Sequence, residues 1–308
     1  MTAHPRSPGV TVRAAAKVNL YLGVGRPRSD GYHPLATVYQ TLSLHDDVTA
    51  ATSGRWSVEL LSEDGIDRDS FPTGEDNIVV RAGRLLAAHH RDARAASLTV
   101  RKSIPIAGGL AGGSADAAAT LVALDRLWDL QTSDADLLSI GGQLGSDVPF
   151  ALVGGTALGG GRGELVTPML DQATRWWVVV PARSGLSTPV VYRHFDQLSP
   201  DAPEEVHVSE DLLSALEHPD NRVLAATLHN DLAAPAIDLR PELGELIEAG
   251  ERAGALRGII SGSGPTVLFL CADRGSADRV RTSLVEAGQP RVLVALGPVS
   301  GTHVVEYA

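Results

Sequence analysis

The chain has 308 residues, of which 44% are hydrophobic and 20% are charged, a composition typical of a globular protein of about two domains. Its 37 acidic and 26 basic residues give a formal net charge of −11, which argues against general binding to nucleic acid. The single cysteine, Cys271, excludes a disulfide within the chain. Because no apolar run approaches ~18 residues, we expect no membrane span and a cytoplasmic location.

A strand-like segment, residues 10–22, is the first predicted element. Lys17 and Asn19 fall on one face of it, because side chains alternate between the two faces of a strand. A lysine in so apolar a segment is unusual, although its ammonium could simply reach solvent at the strand end. The turn-rich loop that follows carries Tyr32 and His33, a stacking ring beside a ring that can donate or accept hydrogen bonds. Such a pair in a loop is more often a surface feature than a ligand contact.

The next elements are assigned from periodicity and capping. Alternation of apolar and polar residues predicts strands over 38–48 and 56–60. Asn77 precedes apolar residues at helical spacing, so it is predicted to cap a helix that runs to about residue 89.

The most informative stretch runs from Pro105 to Asp116 and reads PIAGGLAGGSAD. Its four glycines follow a strand-like segment, 97–104, and lead into an alanine-rich helix predicted to begin near Ser114. Glycine lets the backbone approach a ligand closely, and a helix start presents free N–H groups and the positive end of its dipole. We therefore predict a phosphate-binding loop rather than a simple turn. The stretch lacks both the Gly-Lys-Ser/Thr ending of a Walker A loop and the G-x-G-x-x-G pattern of dinucleotide folds.

The middle of the chain continues with mixed elements. Ser133 is predicted to cap a helix through residue 140, and Asp147 follows in a glycine-flanked turn. A turn aspartate usually bonds its own backbone, so this pattern alone assigns Asp147 no chemistry. The glycine-rich stretch 154–163 is interpreted as hairpin turns, and 176–181 as a buried strand.

The last third is predicted to alternate helices and strands. Thr188 is the expected N-cap of a helix with Pro189 in its first turn. A third glycine-rich turn, 261–265, is either an ordinary hairpin or a second backbone surface for phosphate. We place a domain boundary after residue 168, which gives domains 1–168 and 169–308. The remaining predicted elements are helices at 210–217, 221–229, 241–252 and 275–287, strands at 255–260 and 266–270, and a closing strand pair within 291–306.

Taken in this order, the three glycine-bearing motifs resemble those of the GHMP kinases (galacto-, homoserine, mevalonate and phosphomevalonate kinases). Segments 16–22 (AKVNLYL), 30–35 (DGYHPL) and 145–150 (GSDVPF) look like one member whose acceptor carries a cytidine diphosphate group. The resemblance implies an α+β fold of two lobes, the first like the second domain of ribosomal protein S5 and the second ferredoxin-like. It also implies ATP-dependent phosphorylation of an alcohol, with Mg²⁺ bridging the phosphates.

The resemblance assigns a role to each candidate residue. Asp147 would be the general base for the acceptor hydroxyl, and Lys17 would hold that carboxylate and stabilise developing negative charge. Tyr32 would stack on the cytosine and His33 would read its polar edge. Further acceptor-site residues would be Asn19, Thr188 and Tyr192. The ATP-binding set would be Pro105, Ile106, Ala107, Gly108, Gly109, Leu110, Ala111, Gly112, Gly113, Ser114 and Ala115, with Ser114 also the candidate Mg²⁺ ligand.

Two other interpretations stay open. One is a family member with a small aliphatic acceptor, which would not need the aromatic side chains of Tyr32 and Tyr192. The other is a non-catalytic nucleotide-binding relative, which would not need to keep both Lys17 and Asp147. On the favoured interpretation the partner is a small cytidylyl substrate, with no nucleic acid or membrane, and the chain acts as a monomer or a weak homodimer.

Overall fold

The computed structural model describes residues 9–62, 71, 74–106, 108–171, 173–182 and 185–307. No helix in these ranges has both the length and the apolar character needed to cross a bilayer. The strands are β1 Gly9–Val24, β2 Leu35–Ser53, β3 Ser57–Ser62, β4 Ala95–Lys102, β5 Thr156–Gly160, β6 Leu165–Met169, β7 Arg175–Val180, β8 His229–Asn230, β9 Arg257–Ile260, β10 Val267–Cys271, β11 Leu293–Gly297 and β12 His303–Tyr307. The helices are α1 Ile78–His89, α2 Gly112–Trp128, α3 Asp134–Leu144, α4 Val148–Val153, α5 Thr188–Leu198, α6 Glu210–Leu216, α7 Asn221–Ala225, α8 Ala233–Leu239, α9 Glu242–Arg252 and α10 Arg274–Glu286.

The larger sheet has the order β12-β1-β2-β4-β3, with β5 added on β2, β6 on β5 and β8 on β1. It forms the first lobe together with α1 to α4. Strand β1 is antiparallel to β2 and β12 and parallel to β8. Because β8 and β12 come late in the chain, this sheet takes strands from both sides of the boundary predicted after residue 168. That boundary itself stays a prediction.

Helix α2 packs against β1 and β2 in the main core of the first lobe. Its alanines, which include Ala115, Ala117 and Ala119, are fully buried. Their small side chains let the helix axis lie close to the sheet. Lys17 and Asn19 of β1 are only 6% and 3% exposed. The alternative that the lysine reaches solvent at a strand end is therefore wrong.

The smaller sheet has the order β11-β7-β10-β9 and is antiparallel throughout. It shares a hydrophobic core with helices α5, α8, α9 and α10 in the second lobe, and Cys271 is buried in that core as a small apolar side chain. Trp177 of β7 is fully buried and donates a hydrogen bond from Nε1 to Oε1 of Gln40 in β2, at 3.1 Å. The two lobes are thus joined by buried contacts, and the predicted α+β, two-lobed architecture is confirmed.

Several predicted boundaries are correct and others are not. Asn77 and Ser133 cap their helices as predicted, each accepting a hydrogen bond from a first-turn N–H group. Helix α5 is capped by Ser187 rather than Thr188, because the helix already includes Thr188 as its first residue. Helix α2 begins two residues before the predicted start at Ser114.

The largest differences lie near the end of the chain. Helix α7 stops at Ala225 instead of 229, because the chain leaves the second lobe to pair β8 with β1, and α8 was not predicted. The prediction that the two closing strands pair with each other is also wrong, since β11 pairs with β7 and β12 pairs with β1. Neither strand is bonded to the other, because each completes a different sheet.

Candidate active site

A cleft of about 930 Å³ lies between the lobes. It is lined on one side by residues of the segment 105–115, here called the phosphate loop. On the other side it is lined by residues of α5 and by Gly262 and Ser263 of the segment 261–265, here called the second-lobe turn. Predicted site residues that line the cleft are Lys17, Asn19, Tyr32, His33, Asp147, Thr188 and Tyr192 from the acceptor set, and Pro105, Ile106, Gly108, Gly109, Ala111, Gly112, Gly113 and Ser114 from the ATP set. The structure therefore gathers residues from distant parts of the chain into one cavity.

Three polar side chains meet beside the phosphate loop. Nζ of Lys17 donates a hydrogen bond to Oδ1 of Asn19 at 2.6 Å and lies 3.8 Å from Oδ2 of Asp147. Nδ2 of Asn19 donates to Oγ1 of Thr37 at 2.8 Å, which fixes the amide orientation. The backbone N–H of Lys17 donates to the carbonyl of Leu110, so β1 is bonded directly to the phosphate loop. The ammonium is thus held where a phosphate and an acceptor hydroxyl would meet.

Asp147 has a carboxylate that is not used as a helix cap. The residue occupies the N-cap position of α4, but its side chain makes no capping hydrogen bond. The side chain is 30% exposed, whereas that of Lys17 is 7% exposed. An accessible carboxylate beside a buried cation suits proton transfer from a bound hydroxyl better than it suits a structural cap.

Tyr39 lies behind this group and was not predicted as a site residue. Its ring is stacked on Phe150 at 4.7 Å between centroids, and the Lys17 ammonium lies 5.7 Å from the Tyr39 centroid. Burial, followed by the charge of Asp147, raises the pKa of the Tyr39 hydroxyl well above its usual value. The hydroxyl donates a long hydrogen bond to the carbonyl of Gly163, at 3.4 Å. Nothing in the strand pattern around Tyr39 distinguished it as a residue of the site.

The phosphate loop is fixed from both lobes. Oγ of Ser261 donates to the carbonyl of Gly109 at 2.9 Å. Gly109 has φ +76°, and a Cβ there would lie only 2.3 Å from the carbonyl oxygen of Ser261. The position therefore requires glycine both for its backbone angle and for close approach. The second-lobe turn is packed on the phosphate loop rather than forming an isolated hairpin.

Not every predicted ATP residue can act through its side chain. Leu110 and Ala115 are buried in the core, and the N–H of Ala115 already donates to the carbonyl of Ala111. The first-turn N–H groups of α2, from Gly112 to Ser114, have no partner within their own helix and lie at the positive end of its dipole. Ala107 falls outside the described residues.

Ala111 adopts a left-handed backbone, φ +56° and ψ +32°, at the N-cap of α2. For an L-residue this conformation costs about 1–2 kcal/mol, which glycine would avoid. Glycine would in turn lower the stability by about 0.4–1 kcal/mol, because it gives the unfolded chain more conformational freedom. Ala111→Gly is therefore expected to raise the free energy of unfolding by about 0.5–1 kcal/mol, as measured by denaturant titration. Ala119→Gly, a matched change in the buried middle of α2, should instead destabilise. If Ala111→Gly loses stability as Ala119→Gly does, the left-handed backbone at Ala111 does not destabilise the folded chain.

A buried ion cluster lies beneath the phosphate loop. Nζ of Lys102 lies 2.6 Å from Oδ2 of Asp46 and 2.7 Å from Oδ2 of Asp116, and all three side chains are at most 2% exposed. The other oxygen of Asp46 accepts the backbone N–H groups of Ser103 and Ile104, just before the loop. Asp116 lies in α2, just after the loop. The cluster therefore ties together the two ends of the phosphate loop.

The ionisation of this cluster follows from its surroundings. Burial alone would lower the pKa of Lys102, but the flanking carboxylates of Asp116 and Asp46 outweigh it and raise that pKa. Burial raises the pKa of Asp116 well above its usual value. Oδ1 of Asp116 has no hydrogen-bond partner among the described residues. The ammonium is therefore firmly charged, and the cluster is held together by charge rather than by packing alone.

The predicted base-binding residues gather at the other end of the cleft. The rings of His33 and Tyr192 lie 4.9 Å apart, and Nε2 of His33 lies 2.8 Å from Oδ1 of Asp196. Tyr32 is 54% exposed, with the guanidinium of Arg162 4.9 Å from its ring centroid. Stacking surfaces and a polar edge are therefore present together.

Helix α5 supplies much of this pocket. Thr188, Tyr192 and Asp196 recur every four residues, so they lie on one helix face. Oγ1 of Thr188 lies 2.7 Å from Oγ of Ser263 in the second-lobe turn. Sequence analysis missed Asp196 and Ser263. The spacing of Asp196, four residues after Tyr192, is the signal that could have identified it.

The assignment of Ser114 as a magnesium ligand stays a prediction. It lines the cleft in the first turn of α2, and its Oγ lies 3.9 Å from where a Cβ on Gly145 would be, two residues before Asp147. Mg²⁺ in kinases takes few protein oxygens and several phosphate oxygens. One hydroxyl at the end of the phosphate loop is chemically suited to be one of these few protein oxygens.

Comparison with known families identifies two matches. Residues 77–155 match the model of the GHMP kinases N terminal domain, and residues 212–289 match that of the GHMP kinases C terminal domain. The first match contains the phosphate loop and Asp147, and the second contains the second-lobe turn.

Two similar proteins carry the same name. A 4-diphosphocytidyl-2-C-methyl-D-erythritol kinase of Nocardioides sp. is 61% identical over 96% of this chain and 100% of its own length. The protein of the same name from Salinispora arenicola is 50% identical over 95% of this chain and 93% of its own length.

Solved structures agree in fold. A crystal structure of 4-(cytidine 5'-diphospho)-2C-methyl-D-erythritol kinase has a TM-score of 0.75 at 28% identity and covers 94% of this chain and 100% of its own. The crystal structure of homoserine kinase from Cytophaga hutchinsonii has a TM-score of 0.72 at 18% identity. It covers 99% of this chain and 100% of its own. The second likeness concerns the fold alone.

Proposed function

Because this chain belongs to the GHMP kinase family and, within it, to the 4-diphosphocytidyl-2-C-methyl-D-erythritol kinases, we propose that its cleft aligns ATP with the 2-hydroxyl of that cytidylyl substrate. The products are the 2-phosphate and ADP, and the reaction belongs to the non-mevalonate route to isoprenoids. The observation that carries the assignment of the site is the Lys17–Asn19–Asp147 group, bonded to the phosphate loop at one side and open to the cleft at the other.

ATP lies with its phosphates over the first turn of α2 in this proposal. The N–H groups of Gly112, Gly113 and Ser114, together with the helix dipole, supply positive potential without a surface patch of basic side chains. This suits a chain with a net charge of −11, because the attraction for phosphate is confined to the site.

The acceptor hydroxyl lies between Asp147 and the γ-phosphate. Asp147 takes the hydroxyl proton as the oxygen forms its bond to the γ-phosphorus and the bond from that phosphorus to the ADP oxygen breaks. Lys17 stabilises the charge that develops on the transferred group and keeps the carboxylate oriented. Asn19 holds the Lys17 ammonium at 2.6 Å, so the cation is placed before either substrate binds.

Ser114 would hold Mg²⁺ with the phosphate oxygens. When bound, the ion neutralises charge on the β- and γ-phosphates, which phosphoryl transfer requires. Every other step described here is carried out by side chains of this chain.

The cytosine occupies the pocket formed by Tyr32, His33 and Tyr192. Tyr192 and Tyr32 provide flat apolar surfaces, and His33 provides the polar edge. Thr188 is bonded to Ser263 and lines the same cleft, and in this proposal it contacts the acceptor between the base pocket and Asp147. The active unit in this proposal is a monomer or a weak homodimer, and its location is cytoplasmic, where ATP is available.

ATP turnover with a panel of acceptors tests the proposal. ADP release is expected with 4-diphosphocytidyl-2-C-methyl-D-erythritol and not with homoserine, mevalonate or galactose. Turnover with one of the small aliphatic acceptors would keep the kinase chemistry and discard the base pocket. ATP binding without turnover of any acceptor would favour a non-catalytic nucleotide-binding protein.

A further inference from the structure

The His33 imidazole is held by a carboxylate from the other lobe. Its Nε2 lies 2.8 Å from Oδ1 of Asp196, and the side chains of His33 and Asp196 are 8% and 35% exposed. His33 belongs to the loop between β1 and β2, whereas Asp196 belongs to α5. The imidazole also packs against the rings of Tyr192 and Phe195, with ring centroids 4.9 Å and 6.2 Å from its own. It is therefore positioned on several sides.

This contact determines where the imidazole proton resides. An ionised carboxylate can only accept a hydrogen bond, so Nε2 must carry the proton. A neutral imidazole has one donor nitrogen and one acceptor nitrogen, so Nδ1 is left as the acceptor. Nδ1 makes no hydrogen bond with the described part of the chain, and His33 lines the cleft. The nitrogen left for a ligand is an acceptor.

An acceptor nitrogen in a base pocket discriminates between pyrimidines. Cytosine presents an exocyclic amino group, which donates, where uracil presents a carbonyl, which only accepts. Two acceptors facing each other leave both lone pairs without a donor, and such an unpaired polar contact is costly in a desolvated site. The preference for cytosine then depends on the proton staying on Nε2.

We propose that Asp196 is a specificity-determining residue, which fixes the His33 tautomer so that Nδ1 accepts a hydrogen bond from the amino group of cytosine. The inference rests on the proposed function, because it takes the pocket at His33 as the site of the base. Asp196 acts through His33 and is therefore a positioning residue rather than a catalytic one.

Asp196→Asn is the decisive substitution. The carboxamide keeps the size of the side chain but can donate as well as accept, so it no longer forces the proton onto Nε2. We expect kcat/KM for the cytidylyl substrate to fall about tenfold, through KM, whereas kcat/KM for the same acceptor carrying uracil does not fall. The cytosine-to-uracil ratio should therefore shrink about tenfold, and the KM for ATP should not change.

Helix α5 provides a matched control. His194 also pairs with an aspartate, Asp238, with Nε2 and Oδ2 2.5 Å apart, but His194 does not line the cleft. Asp238→Asn breaks the same kind of pair on the same helix and should leave both substrates unaffected. The proposal would be overturned if Asp196→Asn lowered kcat/KM equally for both substrates, which would leave the cytosine-to-uracil ratio unchanged. Turnover of neither substrate by the unmodified enzyme would instead reject the proposed function.

A spectroscopic measurement tests the tautomer directly. Nitrogen-15 NMR of histidine-labelled protein, with the His33 signal assigned from His33→Gln, should show protonated Nε2 and unprotonated Nδ1 in the unmodified chain. Asp196→Asn should move the His33 signals toward a mixture of tautomers, and Asp238→Asn should not. A His33 that already carries its proton on Nδ1 contradicts the inference, whatever the kinetics show.

Discussion

Asp147→Asn is expected to lower kcat about 10²- to 10⁴-fold while changing the dissociation constants of ATP and acceptor no more than about threefold. The amide is nearly the size of the carboxylate but cannot take a proton from the acceptor hydroxyl. Since the Asp147 side chain makes no capping hydrogen bond, its replacement removes chemistry without removing support for α4. Single-turnover kinetics and calorimetric titration of each ligand measure the two effects separately.

Asp278→Asn is a suitable control for this result. Asp278 pairs with Arg274 on the exposed face of α10, at 3.0 Å, away from the cleft. Its substitution should leave kcat unchanged. Full activity in Asp147→Asn would reject Asp147 as the general base, and loss of ligand binding would assign it to substrate placement instead.

Lys102→Met is expected to lower the free energy of unfolding by about 3–5 kcal/mol. It removes the ammonium from between two carboxyl groups that are almost completely buried, which leaves them without their cationic partner. Chemical denaturation monitored by circular dichroism measures the loss. Adding Asp116→Asn removes one of these two carboxyl groups, so the double variant should recover part of the lost stability.

A surface pair shows how much of this effect is due to burial. Arg252 and Glu248 are four residues apart on α9 and about 70% exposed, with Nη1 and Oε2 3.1 Å apart. Arg252→Met should change the free energy of unfolding by no more than about 0.5 kcal/mol. If Lys102→Met costs no more than Arg252→Met, the cluster does not hold the phosphate loop in place.

Short-range patterns predicted the parts of the site that one segment encodes. The glycines before α2 predicted a loop that leads into a helix, because backbone freedom and a helix start are local properties, and that loop lines the cleft. Alternation in β1 placed Lys17 and Asn19 on one face, and they are hydrogen-bonded to each other. The pairing of these residues with Asp147 came from the family resemblance, since nothing in the spacing between positions 17 and 147 implies contact.

Contacts between distant segments could not be predicted in the same way. Asp46 is an ordinary polar residue in a strand pattern until the fold brings Lys102 and Asp116 against it. Asp196 gains its role only when α5 meets the loop that carries His33. The prediction of a closing strand pair was wrong for the same reason. The two sequences fit a hairpin, but each strand pairs with a different sheet.

The pairing of β12 with β1 sets an order for folding during synthesis. Val10 and Arg13 of β1 pair with Tyr307 and His303, almost 300 residues later in the chain. Until residues 303–307 have left the ribosome, that part of β1 is an open sheet edge, able to pair with other chains. The strand that carries Lys17 and Asn19 is thus made well before β12, its partner on one side. This sheet therefore reaches its full strand order only after residues 303–307 have been made.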